Sequence, residues 1–348
     1  MLPANTAPRP VASLLFLAYN HEVFVEEALC SALRQDVGAY EVIIVDDAST
    51  DRTRAIIESV LEREVPGGVA VRRLYNDQNS GLLGAVNKAM AAATGEVFLF
   101  VAGDDISLPC RLSRSLRIFA EKPAVQLVYG ECQKIDEAGR PFASKPSAKQ
   151  PRTFSYKLSR PGLIYADSCP FGASAAYHRR LFDVFGPMGE GKHGEDNCYW
   201  IRALLLGEIY WDPAVYVQWR QHSSNLSNFS SHLADEVWRR RHLFWMENHA
   251  TMSRQWLKDI ALVRDAGLIS PGRSRVLIVA ALREDRTWAL ATSSMRCDPW
   301  GEWLSRAVDL LLVGRLSTTF RQLKVRLSRR RQERNWRFWA KLKSNSEA

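Results

Sequence analysis

The chain has 348 residues, 46% of them apolar and 10% aromatic, enough for one large or two modest domains around a substantial core. Its six cysteines, Cys30, Cys110, Cys132, Cys169, Cys198 and Cys297, are scattered with no CxxC pair, so neither a zinc cage nor a disulfide framework is indicated and a reducing cytoplasm fits. The formal charge of +9 is unevenly spread: Arg315 to Lys343 holds 11 basic residues and Glu333 as its one acid, so the rest is close to neutral.

MLPANTAPRP, at the start, lacks the cationic opening and apolar core of a signal peptide. No later stretch approaches the roughly 20 apolar residues of a spanning helix, so neither secretion by that route nor a membrane span is expected. Short apolar runs then alternate with helical periodicity. VASLLFL (Val11 to Leu17), EVIIV (Glu41 to Val45), VAVRRLY (Val69 to Tyr75) and EVFLFV (Glu96 to Val101) read as strands. VEEALCSALRQ (Val25 to Gln35), TDRTRAIIESVLERE (Thr50 to Glu64) and GAVNKAMAAA (Gly84 to Ala93) read as helices between them. Such alternation argues a parallel sheet with right-handed crossovers. A helix is expected after Pro109, and the Pro-, Ser- and Lys-rich stretch from Pro141 to Pro161 reads as a loop. Helix resumes near Arg179 and Asp196, and EIYWDPAVYVQW (Glu208 to Trp219) reads as one strand or two. From about Leu233 the pattern is helical, and no internal repeat is present.

Open parallel sheets bind ligands beyond the carboxyl ends of their strands. Tyr19 and Asn20 follow the first strand, Asp46 and Asp47 the second, Asn79, Ser80 and Gly81 the third, and Asp104 and Asp105 the fourth. The stretch FLFVAGDDISLP thus discharges a buried strand into two adjacent carboxylates, which repel unless a cation accompanies them. A diphosphate approaches such an acidic mouth only with a hard divalent ion bridging carboxylate and phosphate oxygens, so Mg²⁺ or Mn²⁺ with a nucleoside diphosphate is expected.

SLLFLAYNHEVFVEEALCSALRQ, EVIIVDDASTDRT and NSGLLGAVNKAMAAATGEVFLFVAGDDISLPCRL together resemble the nucleotide-sugar half of the inverting family 2 glycosyltransferases of the GT-A fold. GEDNCYWIRALLLG and WRQHSSNLS resemble that family's acceptor-side motifs. The resemblance covers residues 11–227 and leaves the C-terminal third outside. It implies an α/β, Rossmann-like, mostly parallel open sheet flanked by helices. Residues 1–230 would form the transferase domain, with 1–105 as its nucleotide-sugar half and 106–230 as its acceptor half. Residues 231–348 would be a helical extension ending in the basic tail, 315–343.

The resemblance also implies roles. Asp46 or Asp47 would read the base of a UDP- or dTDP-sugar; the alternative is a cap on the helix that begins near Thr50. The family's metal motif, DxD, corresponds to Ala102, Gly103 and Asp104, so its first Asp is missing and its last is kept, with Asp105 beside it. Asp104 and Asp105 are the expected Mg²⁺ or Mn²⁺ ligands, the alternative being a solvated turn. Tyr19, Asn20, Gly81 and Asn87 would line the donor pocket, and Gly84 also suggests close backbone approach to the ligand. Asp196 would be the base, with Glu195 as understudy, on a loop loosened by Gly189, Gly191 and Gly194; the alternative is an ordinary acidic first turn. Arg220 and His222 would stand near the departing diphosphate. Phe171, Trp200 and Trp219 would stack on a sugar or fill the core.

In the tail, Leu316, Phe320, Leu323 and Leu327 follow helical spacing among cations, followed by Trp336, Phe338 and Trp339. That pattern favours an anionic membrane surface over a solvated arm, a helix packed on the domain, or nucleic acid. The expected function is inverting transfer of a sugar to a hydroxyl of a glycan or lipid-linked acceptor in polysaccharide biosynthesis for the cell envelope, in the cytoplasm at the inner membrane face. The alternatives are a sugar nucleotidyltransferase and a non-catalytic membrane- or nucleic-acid-binding protein on a transferase scaffold.

Overall fold

The computed structural model describes residues 11–142, 150–155, 172–189, 195–225 and 235–296. These divide between two compact units, one within Met1–Asn228 and Gln255–Ile278 and the other within Phe229–Arg254 and Val279–Ala348.

The first unit opens with β1 (Ala12–Ala18), α1 (Val25–Leu33), β2 (Tyr40–Asp46), α2 (Thr53–Arg63), β3 (Val69–Tyr75), α3 (Gly81–Ala92) and β4 (Val97–Ala102). The four strands pair in parallel in the order β3-β2-β1-β4. Every residue of β1 and β2 is buried, as expected of central parallel strands covered on both faces, whereas edge strand β3 keeps Arg72 and Arg73 exposed. Leu14, Phe16, Val42 and Ile44 share one core cluster with Val25 and Leu29 of α1 and Ile57 of α2. These elements match the expected ones within a few residues.

Beyond β4 the sheet turns mixed. β5 (Ile106–Ser107), α4 (Cys110–Glu121), β6 (Val125–Ile135), β7 (Arg152–Ser155), a 3₁₀ turn (Gly172–Ser174), β8 (Ala175–His178), α5 (Arg180–Phe185), α6 (Glu195–Leu206) and β9 (Glu208–Arg220) follow. The order continues β4-β8-β6-β9-β5, with β7 also on β9. β8 runs antiparallel to β4 and β6, while β6 and β9 are parallel with register shifts. Residues 208–220 form one strand, and β6 is an element that periodicity alone did not suggest.

Two long helices complete the described chain, α7 (Asp235–Asp265) and α8 (Pro271–Arg296). The end of α7 and the start of α8 belong to the first unit, so a division at residue 230 cuts through it. The reason is physical: Asp259 of α7 forms a fully buried ion pair with Arg202 of α6. In the second unit Met246 and Trp288 pack with Leu243, Ala250 and Leu290. Among the described residues no helix is long and apolar enough to cross a membrane. The basic tail lies outside the described residues.

Candidate active site

Register sets the mouth of the site. Ala18 lies opposite Asp46, Leu17 opposite Ala102 and Asp46 opposite Tyr75, so the four parallel strands end nearly level. The ladder continues past the strand ends: Asp47 N–H donates to Ala18 O (2.9 Å), Asn76 N–H to Asp46 O (2.9 Å) and Gly103 N–H to Leu17 O (2.8 Å). Asp46, Asp47 and Asp104 therefore leave the sheet at one end.

Tyr19 is 43% exposed at this end. Asn20 adopts φ 54°, donates its N–H to Ser49 Oγ (3.0 Å) and accepts the Thr50 N–H at Oδ1 (2.8 Å). Asp46 is buried, its carboxylate accepting the N–H and hydroxyl of Ser49. Asp47 Oδ1 accepts from Asn76 Nδ2 (2.6 Å), Ser80 N–H (2.8 Å) and Ser80 Oγ (2.7 Å), which binds it to the start of α3. At the start of α2 it is Asp51 that accepts the Thr53 N–H (2.9 Å). Ala48, next to Asp47, holds φ 62°, a strained value for alanine and typical of functional loops. Gly81 donates its N–H to Asn79 Oδ1 (2.9 Å). Asn87 is engaged by Met188: its Nδ2 donates to Met188 O (3.0 Å) and its Oδ1 accepts Met188 N–H (3.2 Å).

The adjacent carboxylates diverge. Asp104 Oδ2 stands 3.0 Å from His222 Nε2, 3.4 Å from Asn225 Nδ2 and 3.8 Å from His21 Nε2. Burial by itself would push the Asp104 carboxyl up, but the His222 hydrogen bond and the two imidazoles hold it below the usual range. Asp105 is buried and accepts the Arg220 backbone N–H at 2.9 Å; burial, then repulsion from Asp104, raises it well above the usual range. Burial lowers His21, and Asp104 offsets part of that. A Cβ on Gly103 would come within 2.7 Å of His21 Nδ1, so glycine there makes room for the imidazole.

Arg220 is 2% exposed, and its guanidinium is turned toward protein acceptors rather than the mouth. It donates to Asp104 O (3.0 Å), Glu137 O (3.0 Å) and Glu27 Oε2 (2.5 Å), and lies 5.0 Å over the Phe24 ring. The Arg220 guanidinium thus supports the loop that carries Asp104. Asp105, expected to face a metal, faces the Arg220 backbone.

Asp196 sits in the first turn of α6, and burial raises its pKa despite hydrogen bonds from the backbone of Asn197 and Gly172. Its Oδ1 accepts from Asn197 N–H (2.8 Å) and Nδ2 (3.1 Å). A Cβ on Gly172 would stand 2.8 Å from Asp196 Cβ, so only glycine fits. Topology places this carboxylate at the same end as Asp104. β8 is antiparallel to β4 with Ala176 opposite Leu99, so the 3₁₀ turn preceding β8 lies toward the carboxyl end of β4. Arg111 fixes that junction, donating to Phe100 O (3.0 Å) and Ala175 O (2.8 Å). Glu195 opens α6, and only its backbone is described. Trp200 is buried, Trp219 is half-buried with Lys134 Nζ 5.3 Å from its ring, and Phe171 lies outside the described residues.

Residue-by-residue reading missed His21, Asn225 and Glu27. His21 adjoins Tyr19 and Asn20, and Asn225 follows His222 by three positions, so proximity to named residues was the available signal. Glu27 carried none, since an acidic first turn is ordinary helix chemistry.

The architecture is that of the GT-A glycosyltransferases. The chain superposes on S. aureus TarS 1-349 in complex with UDP-GlcNAc with a TM-score of 0.58, at 19% identity over 87% of this chain and 81% of that one. On the mannosyltransferase PcManGT from Pyrobaculum calidifontis in complex with GDP-Man and Mn²⁺ the TM-score is 0.50, at 20% identity over 93% and 88%. An uncharacterized glycosyltransferase of Nostoc sp. is 27% identical over 221 residues, which cover 61% of this chain and 65% of the relative. Residues 13–185 match the model of Glycosyl transferase family 2, and the chain belongs to that family.

Proposed function

We propose that the chain transfers a sugar from a nucleoside-diphosphate sugar, a UDP- or dTDP-sugar, to a hydroxyl of a glycan or lipid-linked acceptor by single displacement with inversion. The observation that carries this reading is the convergence of Asp47, Asp104 and the burial-raised Asp196 on one end of the sheet. The two superposed transferases in complex with UDP-GlcNAc and with GDP-Man support the donor class.

Asp46 and Asp47 frame the base-reading loop, with Asn20 and Ser49 fixing its shape and Tyr19 offering an exposed ring. Asp196 takes the proton of the acceptor hydroxyl as its oxygen bonds to the anomeric carbon. The bond from that carbon to the phosphate oxygen breaks in the same step, and the nucleoside diphosphate leaves with the electron pair. A raised pKa makes the carboxylate a better base at neutral pH. Asn87 and Arg220 act in this reading as positioning groups, one on the segment before α6 and one beneath Asp104.

The residues fit a divalent cation. Among the described residues no three His, Cys, Asp or Glu side chains are grouped to enclose a metal by themselves. Asp104 Oδ2 beside His222 Nε2 is a mixed oxygen and nitrogen set that takes Mn²⁺ readily and leaves further positions for phosphate oxygens and water. A divalent cation held there would supply charge compensation for the diphosphate leaving group. Mn²⁺ is held with GDP-Man by the mannosyltransferase PcManGT. The basic tail would bring the enzyme to an anionic membrane, where a lipid-linked acceptor resides.

Incubation with a panel of nucleotide sugars, Mn²⁺ and glycan acceptors tests the reading. It requires release of nucleoside diphosphate with a β-linked product from an α-donor. Formation of nucleoside triphosphate and sugar 1-phosphate when pyrophosphate is added to the nucleotide sugar would instead mark a nucleotidyltransferase, and no turnover of any donor would mark a binding protein.

A further inference from the structure

The segment Gly186–Gly189 precedes Asp196, and three helices grip it. From α3, Asn87 bonds Met188 through both its N–H and its carbonyl. From α6, Arg202 Nη1 donates to Gly186 O (3.0 Å). From α7, Gln255 Oε1 accepts the Gly189 N–H (3.3 Å), and Gln255 Nε2 donates to Asp259 Oδ1 (2.9 Å). Arg202 closes the circuit, meeting Asp259 fork to fork at 2.8 and 3.1 Å, with side-chain exposures of 0% and 3%. Arg273 of α8 holds the far end of α6 through Leu204 O (2.7 Å). All these residues belong to the first unit.

A buried Arg–Asp pair is a poor stability device, since apolar residues of like volume often serve better. What it supplies is geometry, because a bidentate fork fixes the position of α6 against α7. Gln255 carries that fixed point to Gly189. These partners lie beyond residue 185, where the family match ends.

We infer that Gln255 and Asp259 are positioning residues for the transfer step: they fix Gly186–Gly189 and the setting of α6, and so the placement of Asp196. The catalytic consequence rests on Asp196 being the base; the positioning itself does not.

Gln255→Leu tests this in the full-length protein: it nearly keeps the side-chain volume, leaves the Arg202–Asp259 fork in place and removes the acceptor of the Gly189 N–H. The variant should show faster amide exchange at Met188 and Gly189 and a kcat lower by about tenfold to a hundredfold, with nucleoside-diphosphate affinity unchanged. Unchanged protection and turnover would overturn the inference. So would a loss of nucleotide affinity in step with kcat, since that marks general destabilisation. If the wild type transfers no sugar at all, the transferase reading fails, while the exchange measurements still decide the positioning.

Discussion

Asp104 and Asp105 show how little adjacency in sequence says about function. One is aimed at His222 and His21, and its charge is favoured; the other is turned toward the Arg220 backbone, and its charge is disfavoured. Asp104→Ala should therefore weaken Mn²⁺-dependent binding of UDP at least tenfold by calorimetry, and EDTA should reduce wild-type binding to a similar level. Equal affinity in all three samples would remove the cation from Asp104. Asp196 has the opposite electrostatics, and the sign can be followed through. Its folded pKa is raised, so ionisation costs stability above the unfolded pKa, and the full cost is reached above the folded pKa. Asp196→Asn should thus raise the thermal midpoint near neutral pH and leave it little changed in acid. In the wild type the acid limb of kcat against pH should fall above the ordinary aspartate range, because the active form is the ionised one.

At the scale of elements, Gly172 constrains Asp196, the proposed base, lying where a Cβ would meet Asp196 Cβ at 2.8 Å. Gly172→Ala should lower kcat by about a hundredfold while leaving donor affinity intact, read by transfer assays and nucleotide titration. Loss of both in parallel would mean that the 3₁₀ turn also shapes the donor pocket. The elements that announced themselves in sequence were those with one clear period and a local reason to form. β1 and β2 are unbroken apolar runs, and α1 and α2 carry a helical stripe. β6 escaped because Gly130, Glu131, Gln133 and Lys134 interrupt its apolar pattern, and its pairing with β8 and β9 comes from distant sequence. The site divided the same way. Asp47, Asp104, Asp196 and His222 stood in recognisable motifs, whereas His21 and Gln255 acquire partners only through tertiary contacts. Arg220 lies beside Asp104, but the direction of its guanidinium depends on Glu27 and Glu137, which no spacing connects to it.

At the scale of the whole molecule, the first unit takes in the tip of the α7–α8 hairpin as well as the family-matching region. A chain ending at residue 230 would remove Asp259, the buried partner of Arg202, together with the rest of α7 and α8, and should be recovered unfolded by circular dichroism. A chain ending at Gly314 keeps that pair and should stay folded and active on a soluble acceptor. It should no longer sediment with anionic vesicles, whereas the full chain should, less so as salt rises, since each basic residue near the surface contributes about 1 kcal/mol. Equal sedimentation of the two chains would place any membrane contact outside the tail.

The central claim is that Asp196 is the base of a sugar-transfer reaction whose donor binds elsewhere in the same mouth. The most direct measurement is kcat for Asp196→Asn beside its affinity for the nucleotide sugar, at saturating Mn²⁺ and neutral pH. Turnover should fall by about 10²–10⁴-fold, the contribution of a general base, while donor affinity stays within about twofold of wild type. Near-normal turnover, or a loss of donor affinity matching the loss of turnover, would contradict the assignment.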